Sequence, residues 1–174
     1  QTVALESDDI AVLSPTVVQG LRTSQLSILE ADQIRALTSA QVGALTTAQL
    51  RSLTTAQIVE IDAADLTALG DIKLAAVLSS QIQVLSTAQL AALTPSQVAG
   101  FSTLATQVLS TSQLVGLSAQ QVEGLSTAQV LVLSSAQIAA LRTAQVEALN
   151  TVQVAVLSSL QAVALTTDQI SALG

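Results

Sequence analysis

The chain of 174 residues has five Lys and Arg against twelve Asp and Glu, a net charge of −7, and no Cys, His, Met, Trp or Tyr. Its length suits one domain, its sign is opposite to the basic footprint of a nucleic-acid binder, and the missing side chains are the usual ligands of zinc and haem and the usual bases of nucleophilic catalysis. Charged residues are only 10%, against about 25% in an ordinary soluble domain. Mean hydropathy is +0.63. Ser, Thr or Gln nevertheless interrupts each octad, so no stretch approaches the roughly 20 apolar residues of a membrane span.

Internal repetition is the dominant signal. Stepping by eight from Leu5 to Leu173 gives 22 positions, of which 19 are Leu and the others Ile61, Val77 and Phe101. Gln usually follows four residues later, then Ile, Val or Leu, and a small residue precedes the next Leu. Ser14-Pro15 opens an early unit. Residues 44–58, ALTTAQLRSLTTAQI, then show the pattern at its most regular. Asp62 and Asp65 replace the hydroxyl and the Gln in a later unit, and both suit a helix N-terminus. At 70–84, GDIKLAAVLSSQIQV, the Leu moves to Leu78, which predicts one unit longer by a residue and the next shorter. LTPSQVAG follows at 93–100. At 101–109, FSTLATQVL, the Gln moves to Gln107, which predicts a second local bulge. The repeat continues to the C-terminus without a linker, so residues 1–174 read as a single octad array. Gln1 and Gly174 both fall in mid-octad, which predicts a segment of a longer array.

A repeat of eight excludes one continuous helix. Eight residues turn about 800°, leaving successive Leu residues about 80° out of phase, and Pro15 and Pro95 would break such a helix. The octad reads instead as a helix start. Its hydroxyl residue is an N-cap and the Gln three residues on closes a capping box. The candidate caps include Thr46 with Gln49, Thr54 with Gln57, Thr94 with Gln97, Ser126 with Gln129, and Ser134 with Gln137. The Leu before the cap and the aliphatic residue after the Gln form a hydrophobic staple: Leu45 with Leu50, Leu53 with Ile58, Leu93 with Val98, Leu125 with Val130. Pro95 falls at the first helical position, where Pro fits.

One octad buries too little apolar surface to offset the ordering of its own chain. Neighbouring units must therefore coil over one another. The predicted fold is all-α, a solenoid or superhelix of very short capped helices, one per repeat. The Leu and Ile/Val positions face its axis. The hydroxyl positions and the seventh position, which holds Arg35, Arg51, Glu123 and Glu147, face outward. The alternative is a β-solenoid, favoured by Val, Ile and Thr but opposed by Ala, Gln and the scarcity of Gly and turn pairs.

Little site chemistry emerges. The carboxylates gather only at Glu6, Asp8 and Asp9 and at Glu60, Asp62 and Asp65, neither matching a calcium loop; capping and solvated surface explain both. Lys73 is the only Lys. No catalytic residue, metal site or cofactor is predicted, and the chain is not expected to be an enzyme. Hydroxyls at the third position, as at Thr47, Thr55, Thr127 and Thr167, are free of capping duty and are candidate O-glycan acceptors. A Thr array facing ice is a further reading of the same rows.

LTPSQVAG resembles the opening of a TAL-effector repeat, but the rest of that unit and its base-reading pair are absent. The resemblance implies shared helix-start chemistry and no DNA recognition. ALTTAQL, LSTAQV and LRTAQV are similar to octapeptide tracts in very large bacterial repeat proteins, often described as secreted, surface-associated or adhesin-like and sometimes carrying a haem-utilisation label. This resemblance implies an extracellular or cell-surface structural role; these residues offer no haem ligand. The expected function is a structural protein that self-associates into a fibril, filament or stalk. The alternative is an adhesin that holds a glycan, a protein partner or ice on rows of Ser and Thr.

Overall fold

The computed structural model describes residues 6–173; Gln1, Leu5 and Gly174 lie outside them. The described residues form 21 helices of four to six residues and no strand. Helices this short are not stable alone in water, so their persistence rests on packing. The helices come in coils of three. The first coil holds α1 (Ser7–Ala11), α2 (Pro15–Gln19) and α3 (Thr23–Leu26), and the second α4 (Ala31–Arg35), α5 (Ser39–Ala44) and α6 (Thr47–Ser52). The third holds α7 (Thr55–Ile58), α8 (Ala63–Leu66) and α9 (Asp71–Ala75), and the fourth α10 (Ser79–Val84), α11 (Thr87–Ala92) and α12 (Pro95–Ala99). The fifth holds α13 (Thr103–Gln107), α14 (Thr111–Gly116) and α15 (Ala119–Glu123), and the sixth α16 (Thr127–Leu131), α17 (Ser135–Ala140) and α18 (Thr143–Glu147). The seventh holds α19 (Thr151–Ala155), α20 (Ser159–Ala164) and α21 (Thr167–Ala172).

Each helix packs on the one three places along: α2 on α5, α5 on α8, and so through α11, α14, α17 and α20. The same holds for the column α1–α4–α7–α10–α13–α16–α19 and for α9–α12–α15–α18–α21. Three octads, 24 residues, therefore complete one coil of an all-α solenoid. No β-solenoid forms.

Between helices only the Leu and the hydroxyl residue are extended, as at Leu45 (φ −54°, ψ 136°) and Thr46 (φ −76°, ψ 161°). The Leu N–H turns back to the carbonyl three residues earlier, 3.1 Å for Leu45 to Val42, which tightens the last turn. No described residue has positive φ, so no helix ends on a left-handed glycine. The glycines serve packing instead. A Cβ at Gly43 would stand 3.0 Å from the Ala68 carbonyl of the next coil, and one at Gly116 would stand 3.1 Å from Thr87 Cβ of the coil before. Small residues at the end of the octad let successive coils approach.

The Leu row and the aliphatic row after Gln line one continuous core. Leu45, Leu50, Ile58, Leu90, Val98 and Val130 are at most 1% exposed. Arg35, Arg51, Glu123 and Glu147 are exposed. The two predicted bulges do not occur. Val77 stays in the core at 6% exposure, and Leu78 takes the N-cap position instead. Ala105 occupies the place of the Gln, with Thr106 fully buried beside it, and Gln107 is exposed at the end of α13. The eight-residue register runs unbroken; a larger Leu one residue late is a poorer guide to burial than the phase of its neighbours.

Leu90 lies in the fourth coil with no exposed surface. Leu90→Ala is expected to lower stability by about 2–5 kcal/mol, read in urea denaturation. Amide hydrogen exchange should rise first in the coils that touch α11, because such arrays can open locally.

Candidate functional site: a repeated glutamine clasp

The hydroxyl caps are formed by short-range geometry. The backbone N–H of Gln49 donates to Thr46 Oγ1 at 3.2 Å, and those of Gln57, Gln97, Gln129 and Gln137 donate to Thr54, Thr94, Ser126 and Ser134 at 3.1–3.2 Å. In return, Oε1 of each Gln accepts the backbone N–H of the cap residue, at 2.8 Å in Thr46 and Thr94 and 2.6 Å in Ser134. Leu45, Leu53, Leu93 and Leu125, the staple residues before these caps, are buried, as are their partners Leu50, Ile58, Val98 and Val130.

The amide does a second job that the capping box does not require. Gln121 is 1% exposed. Its Oε1 accepts Ser118 N–H at 2.7 Å, while Nε2 donates to the carbonyls of Leu90 (2.9 Å) and Leu93 (2.6 Å), 31 and 28 residues back. Those carbonyls close the end of α11 in the coil below. One amide thus satisfies an orphan donor at the start of one helix and, at the end of another, the orphan Leu93 carbonyl, with a second bond to the Leu90 carbonyl that already takes the Leu93 N–H. Gln41, Gln49, Gln57, Gln81, Gln113, Gln145 and Gln161 make the same pair of reaches. No buried side-chain N or O among the described residues lacks a partner.

The amide is independent of the hydroxyl. It persists where the cap is Leu78 or Arg142, whose N–H groups reach Gln81 and Gln145 Oε1 at 2.9 and 2.8 Å. At Ser102 the hydroxyl cap remains but Ala105 has replaced the Gln. Lys73 stands at a Gln position and donates its Nζ to the Gly43 carbonyl, 30 residues back, so an ammonium replaces the amide donor. Asp65, at another, accepts from Ser39 Oγ of the coil below. A signal for this role was present in the sequence: Glu would close a capping box as well as Gln, yet no Glu occupies the position. Of the two, only the amide donates as well as accepts.

Among the described residues no three His, Cys, Asp or Glu side chains come together to hold a metal ion. Asp9 accepts from Glu6 N–H at 3.0 Å. Arg35 bridges Asp32, at 2.6 Å, and Glu60 of the next coil. The bond and charge of Glu60, with a smaller share from Asp32, raise the Arg35 guanidinium above its ordinary value. Thr47, Thr55 and Thr167 are exposed and Thr127 is half-buried, each at the first helical position. No helix among the described residues is long and apolar enough to cross a membrane.

The profile of the ALTTAQ repeat family matches residues 2–39, 124–151, 130–159 and 138–174, which together make just over half of the chain. The chain belongs to the ALTTAQ repeat family. The hexapeptide ALTTAQ itself stands at 44–49, between the matched segments. No match is found among curated proteins. The ALTTAQ hexapeptide ends on Gln49, whose amide takes the Thr46 N–H and reaches the Val18 and Leu21 carbonyls.

Replacing Gln121 separates its functions. Gln121→Leu leaves Ser118 N–H and two buried carbonyls with reduced pairing and should cost roughly 1–3 kcal/mol. Gln121→Glu keeps an acceptor for Ser118 but turns the second oxygen onto the Leu90 and Leu93 carbonyls. That environment disfavours the carboxylate and raises its folded pKa above the ordinary value of about 4.3. The variant should lie closest to the native protein below about pH 4, and fall behind as pH rises through 4.3 to the raised value, where the deficit levels off. The difference in Tm between the two proteins across that range is the measurement.

Proposed function

We propose that this chain is a structural repeat protein, not an enzyme, that forms an extended rod outside the bacterial cell as part of a fibril, filament or stalk. The observation that carries this reading is the sameness of the joint between coils. Most helices present the same helix-end carbonyls to the coil above, and that coil answers with the same Gln amides, Asp65, Lys73 and Ala105 being the exceptions. A joint of this kind adds coils without altering those already made, as in other solenoids. The similarity of the octads to tracts in giant secreted and surface proteins supports the extracellular setting, and the lack of Cys, Met, Trp and Tyr suits an exposed, oxidising one.

A second reading, modification by O-linked sugar, is favoured by the outward Thr47, Thr55 and Thr167, whose hydroxyls make no hydrogen bond within the described residues. A binding face of the adhesin or ice-holding kind is less well supported. The Ser and Thr residues are spread over all three columns of helices instead of being gathered on one.

Electron microscopy of the intact protein tests the rod. Particles should be elongated, with an axial repeat set by helix packing, about 8–10 Å per coil, and compact particles would refute the reading. Intact mass of protein from its native source, in excess of the sequence mass by whole hexose units, would show glycosylation.

A further inference from the structure

The chain is not clasped evenly along its length. Among the helices of the described residues, only α8 and α9 begin with neither a side-chain cap nor a capping box. At α8 the Asp62 side chain makes no cap bond, and Asp65 stands in place of the Gln. Gly70 precedes α9 with no side chain to offer, and Lys73 stands in place of the Gln. The Lys73 ammonium donates to the Gly43 carbonyl but cannot accept the Gly70 N–H. The far end of α9 differs as well. By the spacing of 31 and 28 residues that Gln121 and Gln145 keep, the carbonyls of Leu74 and Val77 would meet residue 105. That residue is Ala, which has no amide to give. The end of α8 is better held: Gln97 Nε2 donates to the Thr67 carbonyl at 3.2 Å and the Leu69 carbonyl at 2.5 Å. Thus α9 goes without the Gln amide at both its ends.

We infer that α9 is a built-in hinge, the interior helix at which the solenoid opens first. A helix of five residues has no stability of its own, so α9 is kept in place by what it touches. Leu74, 1% exposed, and Val77, 6% exposed, hold it to the core, and Lys73 ties it to Gly43. Each hydrogen bond that a helix of this length lacks lowers the free energy of opening it. The other contacts special to this part of the chain, Ser39 with Asp65 and Arg35 with Glu60, lie in solvent, where such pairs contribute little. The flanking helices remain joined past α9. Gln81 reaches from α10 to the Leu50 and Leu53 carbonyls, and Gln89 from α11 to that of Ile61. The segment can therefore open while the coils on either side stay stacked, as local opening in such arrays allows. A stalk built of these coils takes up strain at α9 before the other interior coils yield. That consequence rests on the rod reading; the opening of α9 does not.

Hydrogen–deuterium exchange of the full chain, read by mass spectrometry, tests the hinge. Amides of residues 71–75 should exchange faster than those of 119–123 in α15, two coils on in the same column, which has its Ser118 cap, its Gln121 clasp and the incoming Gln153 amide. The missing parts can be put back. A Cβ at Gly70 would meet nothing within 4 Å, and the backbone there (φ −64°, ψ 159°) matches that of the Ser and Thr caps. Gly70→Ser combined with Lys73→Gln should slow exchange at 71–75 by roughly five- to thirtyfold. Ala105→Gln, which offers an amide to the other end of α9, should slow it independently. Gln121→Leu combined with Gln153→Leu should do the reverse and raise exchange at 119–123 toward the rate at 71–75. Native exchange at 71–75 no faster than at 119–123, or exchange at 71–75 unchanged in both restored variants, would overturn the inference. None of these readings depends on particle shape, so failure of the hinge leaves the rod standing, and compact particles leave the hinge standing.

Discussion

The fold depends on one interaction, the reach of a buried Gln amide in two directions. Without it, Leu carbonyls that follow the helices, such as those of Leu53, Leu93 and Leu133, would be buried with no donor to meet them. Such groups are costly when left unpaired. A chain of 21 helices of four to six residues multiplies that problem, because each helix end brings its own orphan groups and each lies against a core. Gln145 shows the solution: Oε1 takes Arg142 N–H, and Nε2 spans to Leu114 and Leu117. The amide joins successive coils by hydrogen bonds where longer solenoid helices would rely on broad apolar faces.

That joint explains the length of the repeat. An octad holds four or more helical residues and the extended pair that redirects the chain. Three octads return the chain to its starting column, so that Gln meets carbonyls 31 and 28 residues behind it. Insertion or loss of one residue would break every clasp across that turn. Val77 and Leu78 show how firmly the phase is held: the smaller Val keeps the core and the larger Leu caps the helix. At one position where the amide is lost another donor takes its place: Lys73 donates to the Gly43 carbonyl of the coil below.

Because the core asks nearly the same of every octad, variation is concentrated on the outside, and there the real period is 24 residues and not eight. The octads of one column share a side of the rod, whatever lies between them in sequence. This is how Leu104, Leu131 and Val152, far apart in sequence, come to lie exposed in one column with the acidic helices α1 and α4. Most joints between coils repeat the same clasp, and the outer sides of the solenoid are free to differ.

By itself the sequence determined the local events. Thr or Ser before Gln at a spacing of three specifies a helix start, Pro95 marks its first residue, and the aliphatic rows declare an interior. These signals are legible because they act within one or two turns of chain. It also predicted bulges at 70–84 and 101–109 that do not exist, because side-chain size was a stronger landmark on paper than the register imposed by neighbouring coils. Only the tertiary structure decided that three octads close a coil, that Gln bridges coils as well as capping, and which outer residues share a side. Those outcomes rest on contacts about 24 to 31 residues apart, where every octad looks like every other. A repeat so uniform cannot name its own partner; packing geometry alone chooses it.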